Sequence, residues 1–142
     1  MTFLLDVNVL IALIDPTHLS HDHAHNWFRR EGGRSWATCP ITENGVVRIV
    51  GHPRYPNTPG SPAVVIGVLQ HLRRRAGHVF WPCDISLLEW PRIEGENLLA
   101  PGQVTDTYLL ALAIAHKGRL ATLDRRLSAS GVQGGAEALL VI

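Results

Sequence analysis

Cysteine, lysine and long apolar runs are all scarce in this chain. Cys39 and Cys83 are its only two cysteines, too few for a disulfide framework or a zinc site built on thiolates. Both lie in strand-like runs and are expected as buried, reduced thiols. Lys117 is the single lysine among 13 basic residues, and 12 acidic residues leave a net charge of +1. That balance excludes a protein that coats nucleic acid by bulk charge, which needs a strong basic excess. It does not exclude contact with phosphate through a bound metal ion, because the ion brings its own charge. The arginine bias suits planar phosphate recognition, yet a GC-rich coding sequence produces the same bias and is the simpler explanation. No apolar stretch is both long and uncharged enough to span a bilayer. An acid stands at position 6, ahead of any basic leader or cleavage site. A signal peptide is therefore not expected, and the protein is expected in the cytoplasm, away from membrane.

The 142 residues are 46% hydrophobic and 18% charged, which fits one globular domain running over residues 1–142. Strands are expected at Thr2 to Leu5, Ser35 to Cys39, His78 to Pro82, Arg119 to Leu123 and Ala138 to Ile142. Helices are expected from Val7 to Ile14, from Ser20 to the Gly32-Gly33 pair, from Pro40 to Val50, and from Ser61-Pro62 to Gly77. Gly51 to Gly60 carries Pro53, Pro56 and Pro59 and reads as a loop. Ile85 to Leu99 reads as one or two short helices interrupted at Pro91 and Gly95. Val104 to Lys117 reads as a long helix stopped by Gly118, and Arg125 to Ala129 as a short one. Apolar strands alternating with helices imply an α/β fold, a parallel sheet of about five strands with helices on both faces. Such sheets bind ligands at the carboxyl ends of their strands.

Four carboxylates stand at junctions of this pattern. Asp6 and Asp124 end strands, whereas Glu43 and Asp106 fall in the first turns of helices, so all four can converge on one edge of the sheet. A charge where a buried strand meets a helix is costly unless it is neutralised. A hard divalent cation bound by oxygen ligands would neutralise it, which points to metal-assisted chemistry on a phosphorylated substrate. Favourable placement in the positive field of a helix N-terminus explains any one of these acids. It does not explain why none of the four has a basic partner on its own predicted helix face.

Four segments carry a family resemblance: Leu4-Leu5-Asp6-Val7-Asn8-Val9-Leu10, Ile41-Thr42-Glu43-Asn44-Gly45, Gln103-Val104-Thr105-Asp106 leading into Leu109 to Ala113, and Leu120 to Leu127 around Asp124. In this order and context the chain resembles the PIN-domain family, and within it the VapC-type ribonuclease toxins of bacterial toxin–antitoxin pairs. The resemblance spans the whole chain and says least over Gly51 to Pro101. It implies sheet order 3-2-1-4-5, an endoribonuclease dependent on Mg²⁺ or Mn²⁺, and catalytic acids at Asp6, Glu43, Asp106 and Asp124. Asp6 and Asp106 would be direct metal ligands, with Asp124 completing the site directly or through water. Glu43 would ligate or position the attacking water, and Asn8 and Thr105 would orient carboxylates from behind. The implied partners are an RNA substrate, a second copy of the chain, and a VapB-type antitoxin lying across the active-site groove. The helices carrying Trp27-Phe28 and Ile41 to Val50 have apolar surface for such a dimer, although a core role explains them nearly as well.

Other features carry less. His21 and His25 share a helix face at the spacing of paired zinc ligands within the cluster of His18, His21, His23 and His25, but no third ligand is evident. Arg73-Arg74-Arg75 can grip phosphate, although basic residues also suit the end of a helix, and a solvated face is the preferred reading. Trp36 and Trp81 lie in strands and read as core. Arg125 and Arg126 read as an exposed helix start. A phosphoacceptor receiver domain would need a lysine at a late strand end, whereas Lys117 precedes its strand. An aspartyl-nucleophile phosphatase would need Asp where Asn8 stands. A degenerate binding module would not need all four acids.

Overall fold

Phe3, Leu4 and Leu5 are all buried, so the first strand, β1 (Phe3–Leu5), must be covered on both faces. The computed structural model, which describes residues 1–142, covers it so. After β1 come α1 (Val7–Ile14), α2 (His21–Arg30), β2 (Trp36–Thr38), α3 (Pro40–Val50), α4 (Pro62–Arg73) and β3 (His78–Phe80). Then follow α5 (Gln103–Ala115), β4 (Arg119–Thr122), α6 (Gly135–Ala138) and β5 (Leu139–Val141). All strand pairs are parallel, in the order β3-β2-β1-β4-β5, as the family resemblance implies. Side-chain alternation splits the core in two. Phe3, Leu5, Trp36 and Ala121 pack with apolar residues of α1 to α4, while Leu4, Ala37 and Leu120 pack with those of α5. The expected helices on both faces are therefore present. No helix is long and apolar enough to cross a membrane.

Several local expectations fail for identifiable reasons. Ile85 to Leu99 forms no α-helix, only a 3-10 turn at Gly95–Asn97, because Pro91 and Gly95 leave no uninterrupted stretch long enough to propagate one. Arg125 to Ala129 is not helical either. The backbone N–H groups of Asp124 and Arg126 donate to the side chains of Thr122 and Asp124, at 3.1 and 2.8 Å, which holds this stretch in turns. The short helix lies ten residues later, as α6. Cys39 is buried as expected, but Cys83 is exposed just beyond β3. Trp27 and Phe28 belong to the core: Trp27 meets Phe3 edge-on at 5.3 Å and Phe28 meets Trp36 at the same distance. Their burial removes them as a surface for a second copy.

The Pro-rich connection between α3 and α4 is tied down by one buried carboxylate. Asp15 ends α1 and accepts hydrogen bonds from Tyr55 and Asn57 of that connection and from the Thr17 N–H and hydroxyl. Burial pushes its carboxyl up, but these donors together outweigh burial and hold it at about 2. Burial, together with the same pairing, pushes Tyr55 up to about 12. A depressed carboxyl contributes stability that is present above the ordinary carboxylate range and lost as pH falls through about 2. Tyr55→Phe is expected to cost about 1–3 kcal/mol at neutral pH by removing a donor from a buried anion. In urea melts at stepped pH, its deficit relative to the parent should shrink as Asp15 protonates. A deficit constant from neutral pH down to about 2 would show that the lost hydroxyl acts independently of the charge on Asp15.

Candidate active site

At the carboxyl end of β1 the chain turns from strand to helix at Asp6, whose N–H still bonds to the Ala121 carbonyl of β4 at 2.9 Å. Asp6 is the N-cap of α1: its Oδ1 accepts from the Val7 N–H at 2.8 Å. Its Oδ2 accepts from the Thr122 hydroxyl at 2.7 Å. That hydroxyl in turn accepts from Asn8 Nδ2 at 3.0 Å and from the Asp124 N–H at 3.1 Å. Asn8 completes the linkage by accepting the Leu123 N–H on Oδ1 at 3.0 Å. Thr122 thus joins Asp6, Asn8 and Asp124. Sequence reasoning missed it, although it is the one hydroxyl-bearing residue of an otherwise apolar run and stands two residues before the acid.

Asp106 lies half-buried in the first turn of α5. Burial pushes its carboxyl above the usual carboxylate range, and the charges of Asp6 and Asp124 push it further. Asp6 is also raised. Burial is the main cause, Asp124 adds to it, and hydrogen bonds from Thr122 and Val7 oppose it. Asp6, Asp106 and Asp124 are thus near enough to act on one another through their charges, and none has a salt-bridge partner. Thr105 is exposed and donates to none of the four carboxylates, so no orienting contact is formed there.

Glu43 belongs to a hydrogen-bonded chain of its own. Its Oε2 accepts the Thr38 hydroxyl at 2.6 Å and pairs with Arg73 Nη1 at 3.1 Å. The Thr38 proton is spent on Glu43, so the 2.8 Å contact with His78 makes Nε2–H the donor to Thr38. Burial and the charge of Arg73 hold His78 below its ordinary value, with Glu43 opposing, in keeping with a neutral ring. The solvated-face reading of Arg73 is thus corrected: it is the basic partner of Glu43, supplied from α4. The next glycine sets the spacing, because a Cβ at Gly45 would lie 2.8 Å from Val7 Cγ2. Its absence lets α3 pack close to α1, beside Asp6.

The histidine cluster has a structural task. The ring N–H groups of His21 and His25 donate to the carbonyls of Ala12 and Leu13, at 2.7 and 2.9 Å. They satisfy last-turn carbonyls of α1 that have no helical partner.

The PIN domain family model matches residues 3–131. This chain belongs to the PIN-domain family. Ribonuclease VapC44 of Mycobacterium tuberculosis is similar to it, 44% identical over 137 residues and 96% of both chains. Ribonuclease VapC39 of the same organism is 42% identical over 139 residues, covering 98% of this chain and 100% of that one. Among solved structures, VapBC2 from Rickettsia felis, bound to a DNA fragment from their promoter, matches with a TM-score of 0.56. At 14% identity over 89% of this chain and 90% of that one, this likeness is one of fold.

The donor set of this PIN domain suits a hard divalent cation: three carboxylates, mutually repelling, with no cationic side chain among them. In the arrangement seen here no three acidic, imidazole or thiol groups lie close enough together to hold one ion. Mg²⁺ does not require three, since one or two carboxylates, waters and substrate phosphates commonly complete its shell. Without a cation, repelling carboxylates of this kind have a stability cost. A carboxyl raised on folding destabilises the native state above its raised pKa, and the penalty fades as pH falls toward the ordinary range. Asp6→Asn is therefore expected to raise the melting temperature in chelator by a few degrees at neutral pH, with the gain fading in acid. A lower melting temperature at neutral pH would show that the hydrogen bonds to Asp6 outweigh its burial and repulsion.

Proposed function

We propose that this PIN domain is a Mg²⁺- or Mn²⁺-dependent endoribonuclease, the toxin of a VapBC-type toxin–antitoxin pair. The observation that carries the reading is the trio of Asp6, Asp106 and Asp124 at the carboxyl edge of a parallel sheet, where the charge of Asp124 adds to burial in raising Asp6, and the charges of Asp6 and Asp124 add to burial in raising Asp106. Its support from relatives is the ribonuclease named in the two mycobacterial proteins. A Mg²⁺ or Mn²⁺ ion, held by one or two of Asp6, Asp106 and Asp124 directly and by the rest through water, would supply the positive charge for the phosphate and acidify a bound water. The chain supplies the rest. Thr122 fixes Oδ2 of Asp6, Asn8 fixes Thr122 and the start of the Asp124 turn, and Val7 fixes Oδ1. Glu43 has Oε2 committed to Thr38 and Arg73, which leaves Oε1 to accept a proton from the attacking water. The commitment of Oε2 to Thr38 and Arg73 favours this role over direct metal ligation.

On this reading Asp6→Asn and Asp106→Asn abolish RNA cleavage while the fold persists, and Thr122→Val lowers metal affinity or activity by roughly 10–100-fold. Equal cleavage by Asp6→Asn and the parent would sink the assignment. Millimolar Mn²⁺ should raise the melting temperature of the parent through binding to the folded state. An unchanged shift in Asp106→Asn would count against the trio as its site, and a degenerate binding module would show no shift at all.

The same reading implies a cytoplasmic protein that forms a homodimer and is silenced by a VapB-type antitoxin lying over the acidic edge. The VapBC name of the structural neighbour supports the pairing. The purified chain should sediment at twice its 15.6 kDa mass, and its antitoxin should suppress cleavage. Tight antitoxin binding with cleavage untouched would move the docking site away from the acids.

A further inference from the structure

Phe80 is the last residue of β3 and is 41% exposed. Phenylalanine is among the residues most often buried, and this one sits at the carboxyl edge of the sheet, the edge that carries Asp6 and Asp124. The Arg73 guanidinium lies 5.3 Å from the centre of its ring while also pairing with Glu43 at 3.1 Å. Arg73 itself is 40% exposed, so one cation touches an acid of the site, an open aromatic ring and solvent. Beside them a cavity of about 510 Å³ opens between α3 and α4. It reaches both Glu43 and Arg73 and carries Arg48, Asn44 and Gln70 over an apolar floor that includes Val47 and Leu69.

An ion pair explains why Arg73 faces Glu43, but it leaves the exposed ring unexplained. An aromatic face next to a cation, at the ligand edge of a sheet, is the pairing that binds a single-stranded nucleotide. The ring stacks on the base and the cation meets the phosphate. We propose that Phe80 and Arg73 form a subsite for an unpaired nucleotide of the RNA substrate, one step along the strand from the bond cut at the acids. This rests on the ribonuclease reading above and names where its substrate is gripped. A phosphate at Arg73 takes up part of the charge now shared with Glu43, so binding at the subsite loosens Glu43 for its work on water. Recognition requires a splayed-out base, so loops and single strands bind here and continuous duplex does not.

The test is binding of an end-labelled, mixed-sequence single-stranded RNA, followed by fluorescence anisotropy in Mg²⁺ across a salt series, with Asp106→Asn as the uncleaving background. Adding Phe80→Leu should weaken binding roughly 5- to 100-fold, and Phe80→Tyr should restore it. Adding Arg73→Gln should also weaken binding and flatten the dependence of log affinity on log salt by roughly 0.7, the loss of one phosphate contact. Arg92→Gln, at the opposite edge of the sheet, should match the background. Melting curves check that each variant is folded, and the exposure of both side chains favours that outcome. RNA affinity and salt slope unchanged in both Phe80→Leu and Arg73→Gln would overturn the subsite and leave the ribonuclease reading intact. Loss of antitoxin binding with RNA binding retained would overturn it too, assigning the surface to a protein contact. No RNA binding or cleavage by any form, the parent included, would overturn the subsite and the ribonuclease reading together.

Discussion

Mutual repulsion among Asp6, Asp106 and Asp124 is the constraint around which this edge of the molecule is arranged. Burial alone raises a carboxyl, and here each neighbouring charge raises it further. The fold tolerates this because the acids are held from behind. Thr122 donates to Asp6, Asn8 and the Asp124 N–H hold Thr122, and the Val7 N–H caps the other Asp6 oxygen. Without these donors a buried carboxylate facing two others would protonate or turn outward. With them, the charge stays where a cation can use it. Stability withheld at such an edge is a familiar exchange for function.

The contrast with Asp15 shows what burial does when donors dominate. Both residues are nearly inaccessible and both adjoin α1, yet Asp15 is held at about 2 and Asp6 is raised. Asp15 gathers four donors and meets no neighbouring acid, so it fastens the loop between α3 and α4. Asp6 has fewer donors and a negative neighbour. One carboxylate is structural and the other is poised, and the difference lies in the groups around them.

Glu43 follows a third pattern. Its threonine, its arginine and the neutral His78 behind them form a line of hydrogen bonds across β2, β3 and α4. The line ties the acid to Arg73 at the end of α4. It also brings Arg73 to the edge where a phosphodiester would lie. A nearly neutral protein can meet a polyanion in this way, with a few cations placed at the point of contact instead of a basic surface.

Much of this was legible in the sequence because it depends on local rules. Apolar strands alternating with amphipathic helices fixed the fold class, Pro40 and Pro62 marked helix starts that the structure keeps, and the spacing of the four acids singled out the edge. The sheet order came from the family resemblance, since periodicity does not say which strands are neighbours. The segment from Ile85 to Leu99 and the turn after Asp124 were misread because side-chain acceptors and helix breakers compete with backbone pairing there. Thr122, Arg73 and Phe80 were out of reach for a different reason. Thr122 matters because β4 lies beside β1, Arg73 because α4 ends against α3 and β3, and Phe80 because β3 is an edge strand that leaves its ring open. The sequence by itself determined which residues could carry charge and where the chain turns. Only the tertiary structure decided which charges oppose one another and which are paired, because Coulomb energy depends on distance through space and not along the chain.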